Sequence, residues 1–340
     1  MVILLSVAVL GGLFVVLAGG LLVAERFLVS YGVCQVSINS GERTFEVDGG
    51  QSLLSALYDN KVFIPSACGG KGSCGHCKVH VASGGGQVLP TETPYLSRKE
   101  IRQGIRLACQ VKIRENIELR IPEELLNVRL FNARVESTRP LTHDIKEIRL
   151  ALAEPEEISH RPGQYIQVQA PSPGGPVFRA YSISSPVYEP HVVELNVRLV
   201  PGGIGSTYLH NLEVNDSVVF TGPFGEFRLN EDPSVESVCV AGGCGMAPVK
   251  NIIYSTYLQW PDRTVWLFFG CRTPRDAFYR EDFIELASRH PNLQVIYAIS
   301  DPLPPRQQWD GETGFIHLSV DKYLAPGARR QAFLCGPPPM

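Results

Sequence analysis

The chain has no basic stripe, no tandem repeat and no low-complexity tract. Its 31 Lys and Arg face 34 Asp and Glu, a formal net charge of −3, so the electrostatic footprint of a nucleic-acid binder is missing. Cysteine is present, but nine is an odd number, spread over 340 residues, a poor basis for a disulfide framework. Structural zinc usually draws on paired Cys-x-x-Cys knuckles, and only one such pair, Cys74 and Cys77, occurs. Charge is lacking in one place above all: from Val2 to Ala24 there is no Asp, Glu, Lys or Arg.

That apolar run is long enough to cross a bilayer as one helix. A cleaved signal peptide is the rival reading, but it would carry a basic segment ahead of a shorter apolar core. Here the first basic residue, Arg26, lies behind the run. The excess of Lys and Arg behind a span stays on the cytoplasmic side. Residues 1–25 are therefore expected to be an uncleaved single-pass anchor touching lipid through 2–24, with the remainder in a reducing compartment that suits free thiolates.

What the chain does have is a cysteine quartet. Cys68, Cys74 and Cys77 sit in CGGKGSCGHC, and Cys109 follows in LACQ. Three thiolates from a tight loop and one from a distant strand can hold a [2Fe–2S] cluster. Gly69, Gly70, Gly72 and Gly75 let such a loop wrap closely and aim backbone N–H groups at the sulfides. The spacing is five residues, then two, one longer at the first step than the plant-type four and two. A zinc site and uninvolved thiols remain as alternatives.

Patterning divides the rest. CQVSIN and RTFEV predict a hairpin about Asn39–Gly41, and SLLSALYDN a short helix with Leu53, Leu54 and Leu57 on one face. KVHVA reads as a strand, and Ser97 with Glu100 as a capping box on a small helix before Cys109. This order predicts a β-grasp ferredoxin-type module over 33–124. From Val128 alternation takes over, with Ile166, Val168 and Ala170 opposite Gln167 and Gln169, and with Val193, Leu195, Val197 and Leu199 on one face. Such period-two strands predict an antiparallel barrel with a wet outer face over 126–232. From Ser237 β and α segments alternate, predicting a parallel α/β sheet over 235–340.

Four further segments carry chemistry: RAYSISS from Arg179, PGGIGSTYLHNL from Pro201, VAGGCGMAP from Val240 and FLCGPPPM at the end. Gly202–Gly205 precedes a short helix whose free N–H groups can bind an anion, though Ser206 could equally be a plain helix cap. VAGGCGMAP is a Gly-rich strand-to-helix turn without the GxGxxG fingerprint. Together with GPFGEF at Gly222–Phe227, these segments resemble the ferredoxin–NADP⁺ reductase superfamily. That resemblance implies that Arg179 pairs with a flavin pyrophosphate, as a guanidinium suits. Tyr181 would stack on the flavin and Ser182 would hydrogen-bond near its reactive nitrogen. Gly205, Ser206 and Thr207 would complete the pyrophosphate site. Gly242, Gly243 and Gly245 would admit the nicotinamide nucleotide. Asp276 would lie near the adenosine ribose and repel a 2′-phosphate, favouring NADH, with Arg272 and Arg275 pulling the other way. Cys335 and Gly336 would line the nicotinamide pocket, unless Cys335 is only a buried structural thiol.

The order of parts resembles the F-subunit family of sodium-translocating NADH:quinone oxidoreductases. SACGGKGSCGHCKV, GQVLPTE, RLACQV, RAYS, GPFGEF, GMAP, FYREDF, TGFIH and CGPP all stand in its sequence. The resemblance implies a bacterial inner-membrane protein passing electrons from NADH to FAD, then to the [2Fe–2S] cluster, partner subunits and, indirectly, quinone. It also implies a longer loop than 171–178, and a helix with an aromatic-bearing segment after CGPPPM, so the nucleotide domain is expected to be truncated. Two other readings stand beside it. One is the reductase component of a multicomponent oxygenase; the other is a non-catalytic metal-binding membrane scaffold.

Overall fold

The computed structural model describes residues 10–20, 31–173, 175–225, 227–303 and 307–337. Residues 10–20 are helical, with Leu10, Leu13, Phe14, Val15, Val16 and Leu17 exposed. The rest of the predicted anchor, at 1–9 and 21–25, lies outside the described residues, among which no helix is long and apolar enough to cross a membrane. The chain divides into two compact units, Met1–Asn127 and Val128–Met340.

The first unit is built on a mixed sheet of order β2-β1-β5-β3-β4: β1 (Val33–Ile38), β2 (Arg43–Asp48), β3 (Lys78–Ser83), β4 (Ile105–Leu107) and β5 (Ile117–Arg120). β1 pairs antiparallel with β2 about the expected Asn39–Gly41 turn and parallel with β5. Helix α1 (Leu53–Asp59) starts where the Ser52 side chain accepts from the Ser55 N–H. Its helical spacing buries Leu53, Ala56 and Leu57 completely, while Leu54 is only partly covered. Each such Leu contributes about 1.5–3 kcal/mol by leaving water. The Ser97–Glu100 capping box forms as predicted at α2 (Arg98–Arg102). A single turn, α3 (Glu123–Leu126), ends the unit. Cys77 and Cys109 belong to this unit's core, so the cysteine loop is seated on packed side chains.

The second unit opens with six antiparallel strands: β6 (Arg129–Pro140), β7 (Ile145–Glu154), β8 (Tyr165–Ala170), β9 (Val177–Ser182), β10 (Val192–Arg198) and β11 (Ser217–Phe224), with α4 (Ile204–His210) before β11. Their order is β10-β7-β6-β11-β8-β9, and a bridge between Ile183 and Leu195 joins the two edges into a barrel. Ile166, Val168, Ala170, Val193, Leu195 and Val197 all point into it, fully buried. The expected wet outer face is corrected at β10. Glu194 and Asn196 are buried, because helix and loop segments of the following sheet cover that face. Gln167 is buried as well, and Leu199 lies past the strand end, exposed.

The following sheet is wholly parallel, in the order β15-β14-β13-β12-β16. In chain order it runs β12 (Glu236–Gly242), α5 (Met246–Gln259), β13 (Val265–Cys271), α6 (Arg280–Arg289), β14 (Leu293–Ile299), β15 (Glu312–Thr313), α7 (Ile316–Tyr323) and β16 (Arg330–Cys335). Its strands read as nearly unbroken apolar runs because both faces are covered. Leu267 and Phe269 pack with Ile252, Ile253 and Phe283 on one side, and Val240, Phe268 and Ala298 with Ile316 on the other. Strands are added in one direction from β12 to β15, and β16 then lands on the opposite side of β12. The crevice at the carboxyl ends of β12 and β16 is thus the topological switch point, where open α/β sheets bind ligands.

Candidate redox sites

The cysteine loop is arranged as two pairs. Cys77 Sγ lies 3.3 Å from Cys109 Sγ, and Cys68 is hydrogen-bonded to Cys74. Cys77 and Cys109 are buried, whereas Cys68 and Cys74 are half-buried. Backbone N–H groups of Ser73 and Lys71 are directed at the Cys68 sulfur, that of His76 at Cys74 and that of Gly72 at Cys109. Burial pushes the Cys68 thiol up, but the Ser73 amide, the Cys74 and Ser73 side chains and the Lys71 amide together outweigh it and bring it down to about 7. The Cys77 contact draws Cys109 down to about 6 and raises Cys77 itself. Two thiolates for each of two irons is the donor set of a [2Fe–2S] centre.

The wrapping is tightest at Gly72 and Gly75. A Cβ on Gly72 would lie 2.6 Å from Gln110 Nε2, and one on Gly75 2.9 Å from Tyr95 Cβ, both at positive φ. Gln110 also reaches the Cys109 sulfur at 3.5 Å and accepts from Thr91 Oγ1. Behind Cys109 stands a buried ion pair that sequence reasoning missed. Glu92 and Arg106 meet at 2.7 Å, with side chains 0 % and 5 % exposed. Glu92 also accepts the Leu107 N–H, and Arg106 donates to the carbonyls of Gly85, Gly86 and Gln87. Ala108, just before the fourth thiol, donates its N–H to the Cys77 carbonyl at 2.8 Å. The pair thus ties β4, the strand leading to Cys109, to the loop after β3.

In the barrel, the two expected flavin segments meet at one glycine. A Cβ on Gly205 would stand 2.7 Å from Arg179 Cγ and 2.8 Å from the Tyr181 hydroxyl. Arg179 Nη1 donates to the Phe178 carbonyl at 2.7 Å. Burial raises the Tyr181 phenol to about 12 against the pull of Arg179, so it stays neutral at ordinary pH. Ser182 pairs with Tyr165 at the end of β9. Ser206, expected at the pyrophosphate, lies at the start of α4. Its hydroxyl accepts the Val200 N–H at 3.1 Å and lies 3.3 Å from the Gly203 carbonyl, bracing the 200–203 turn. Thr207 is exposed beside it.

At the switch point, Gly242, Gly243 and Gly245 lead into α5, whose first turn has no side-chain cap and so offers its N–H groups to an anion. A Cβ on Gly245 would run into the Cys335 carbonyl, so the Gly-rich loop and the Cys335–Gly336 turn touch. Burial raises the Cys335 thiol, with Cys244 adding to it. Arg198, also missed from sequence, extends from the end of β10 over Gly243 and is paired with Asp144 at 3.1 Å. Asp276 follows β13 and caps its own turn. One carboxylate oxygen accepts from the N–H and hydroxyl of Thr273, and the other lies 3.7 Å from His143. Arg272, weighed in the sequence as a partner for a 2′-phosphate, is paired with Asp301. The FYRED stretch after it begins by turning Tyr279 towards Glu147 and Asn196 of the barrel wall.

Three family models match in this same order. They are a 2Fe-2S iron-sulfur cluster binding domain at 36–114, an oxidoreductase FAD-binding domain at 132–229 and an oxidoreductase NAD-binding domain at 239–340. The F subunit of the Na(+)-translocating NADH-quinone reductase of Neisseria meningitidis is 37 % identical over all of this chain and 94 % of its own length. The chain belongs to that F-subunit family. The F subunit of Methylococcus capsulatus is 36 % identical over 99 % of the chain and 93 % of its own length. Among solved structures, the Amycolatopsis cytochrome P450 reductase GcoB is similar, with a TM-score of 0.71 and 31 % identity over 90 % of this chain and 91 % of that one. The ferredoxin reductase in carbazole 1,9a-dioxygenase follows at 0.66 and 28 %, with the same coverage.

One group beside the flavin strand sets a pH dependence. Asn251 on α5 donates to the Ile183 carbonyl at 3.3 Å and lies 3.2 Å from His160 Nε2. Burial lowers His160 from 6.5 to about 4. The unfolded chain takes up this proton first, so His160 contributes stability above pH 6.5 that is lost as pH falls towards 4. Urea midpoints at pH 7 and pH 5 should differ less in His160→Leu than in wild type; equal differences would show that His160 does not carry the dependence.

Proposed function

We propose that the chain is the electron-input component of a sodium-translocating NADH:quinone reductase, taking hydride from NADH and releasing electrons through its cluster. The domains behind this reading are an anchor at 1–25, a ferredoxin-type module at 33–124, an FAD-binding barrel at 126–232 and an NADH-binding sheet at 235–340. A flavin accepts two electrons as hydride and passes them on singly, which a nicotinamide donor and an iron–sulfur acceptor together require. Arg179 holds the FAD pyrophosphate, with Thr207 and the N–H groups of Gly205 and Ser206 beside it. Tyr181 and Ser182 set the ring, and Cys335 with Gly336 shapes the nicotinamide pocket. Gly242, Gly243 and Gly245 let the nucleotide reach the α5 terminus, and Asp276 turns away a 2′-phosphate. Cys68, Cys74, Cys77 and Cys109 hold the [2Fe–2S] cluster.

The reading leans most on the contact of Arg198 with Gly243, because it puts the barrel's β10 directly on the nucleotide loop. Residues 2–24 would anchor the protein once through the bacterial inner membrane, its domains cytoplasmic and turned towards partner subunits that reach quinone. One anchor helix forms no ion path, so sodium movement rests with those partners. The likeness to the reductase in carbazole 1,9a-dioxygenase favours a second reading, electron supply to an oxygenase. Purification from membranes in detergent separates the two. The expected preparation is red-brown, contains FAD with equal iron and labile sulfide, is bleached by NADH far better than by NADPH, and brings membrane subunits along. A colourless zinc protein would refute the cofactor assignment, and co-purification with an oxygenase would favour the second reading.

A further inference from the structure

Between strands β7 and β10 of the barrel and the nucleotide sheet lies a buried polar cluster with no assigned role. Tyr279 stands just ahead of α6 with φ 57 and ψ 14, a left-handed conformation that costs a non-glycine residue about 1–2 kcal/mol. Its hydroxyl donates to Glu147 on β7 and lies 3.0 Å from Asn196 Oδ1 on β10. Its ring carries Lys250 Nζ at 4.4 Å and the Arg139 guanidinium at 5.5 Å. Lys250, on α5, pairs with Glu194 of β10 at 2.6 Å, and Arg139 grips Glu147 with two hydrogen bonds. Arg149 closes the set at 3.2 Å from Glu194. The Glu147 and Glu194 side chains are 9 % and 4 % exposed.

Both ends of this cluster lead to the reaction. Glu194 accepts the Ser184 N–H through its carbonyl, and its own N–H donates to the Ser185 hydroxyl, two and three residues beyond Ser182. Lys250 sits one turn into the helix that starts at the Gly-rich loop. Phe278, next to Tyr279, packs edge-on against Phe269 near the carboxyl end of β13. A buried ionic network adds little net stability, since desolvation offsets its attraction, but it can specify one geometry. Hydride transfer responds steeply to sub-ångström changes in donor–acceptor placement.

We propose that Tyr279, held by Glu147, Asn196 and Lys250, is a positioning residue that fixes the nucleotide sheet against the barrel and so sets the nicotinamide-to-flavin approach. This rests on the proposed NADH-to-FAD reaction, in which C4 of NADH gives a hydride to the flavin and leaves as NAD⁺.

The test uses the full-length holoprotein with two variants, Tyr279→Phe, which keeps the ring and loses the hydroxyl, and Glu147→Gln, which keeps an acceptor. Expected in both are unchanged FAD and iron content and an NADH dissociation constant within about twofold of wild type. Flavin bleaching at saturating NADH should slow about tenfold, equivalent to 1.4 kcal/mol. Amide exchange over 274–280 and 192–198 should speed up, a readout independent of turnover. If both variants bleach at the wild-type rate, or if exchange there is unchanged, the inference is wrong. If wild type itself is not bleached by NADH, the proposed function fails first, so the two failures are distinguishable.

Discussion

Replacing Glu92 by Ala should strip the first unit of its cluster while leaving the flavin in the second. Glu92 and Arg106 are both buried, and removing one leaves an uncompensated charge in the core, a loss of about 3–5 kcal/mol. In a unit of this size that lowers the melting temperature by on the order of 20 °C. The damage goes beyond the pair, because Glu92 also holds the Leu107 N–H two residues before Cys109, and Arg106 gathers three carbonyls of the loop after β3. Burial alone would raise the Glu92 pKa, but the Arg106 guanidinium outweighs it and holds the carboxyl low. Such a carboxylate contributes stability above its unfolded pKa and loses it as pH falls through the lower folded value. Cluster retention in wild type should therefore fail in acid. Iron analysis and visible circular dichroism, against temperature for the variant and against pH for wild type, check both points. A variant that kept its cluster to the wild-type temperature would show that the ion pair is dispensable.

Gly245→Val should cut kcat/KM for NADH by roughly a hundredfold or more, at least about 2.7 kcal/mol of transition-state stabilisation. The α-carbon of Gly245 faces the Cys335 carbonyl at the switch point, so any side chain must push the Gly-rich loop away from β16. The crevice between β12 and β16 closes or shifts, and the uncapped start of α5 moves with it. FAD content, iron content and reduction by dithionite should stay as in wild type, because Arg179, Tyr181 and the four cysteines are untouched. An unchanged kcat/KM for NADH would place the nucleotide elsewhere.

These two residues differ in how visible they were. Gly245 stands in a Gly-rich strand-to-helix turn, a local pattern with a local physical meaning, and the cysteine quartet, the Ser97–Glu100 box and the hairpin at Asn39–Gly41 are legible for the same reason. Glu92 and Arg106 both lie in recognisable segments, GQVLPTE and RLACQV, but their pairing across 14 residues is a tertiary fact that no periodicity encodes. The outer face of β10 failed more instructively. Glu194 and Asn196 alternate with apolar residues just as water-facing residues do, yet they face a second polar surface, and alternation cannot tell one from the other. Tyr279 was hidden because nothing short of its backbone angle, φ 57, reveals that a tyrosine in FYRED turns back into the barrel.

The central claim is that electrons enter at the β12–β16 crevice, cross the flavin of the barrel and leave through the cysteine quartet. Anaerobic rapid mixing of the full holoprotein with NADH, following flavin and cluster absorbance together, tests it most directly in wild type beside Cys109→Ser. Wild type should show flavin bleaching first and cluster bleaching after it, and the cysteine variant should keep only the first phase. Cluster reduction that precedes the flavin, or that survives in a protein stripped of FAD, would contradict the relay.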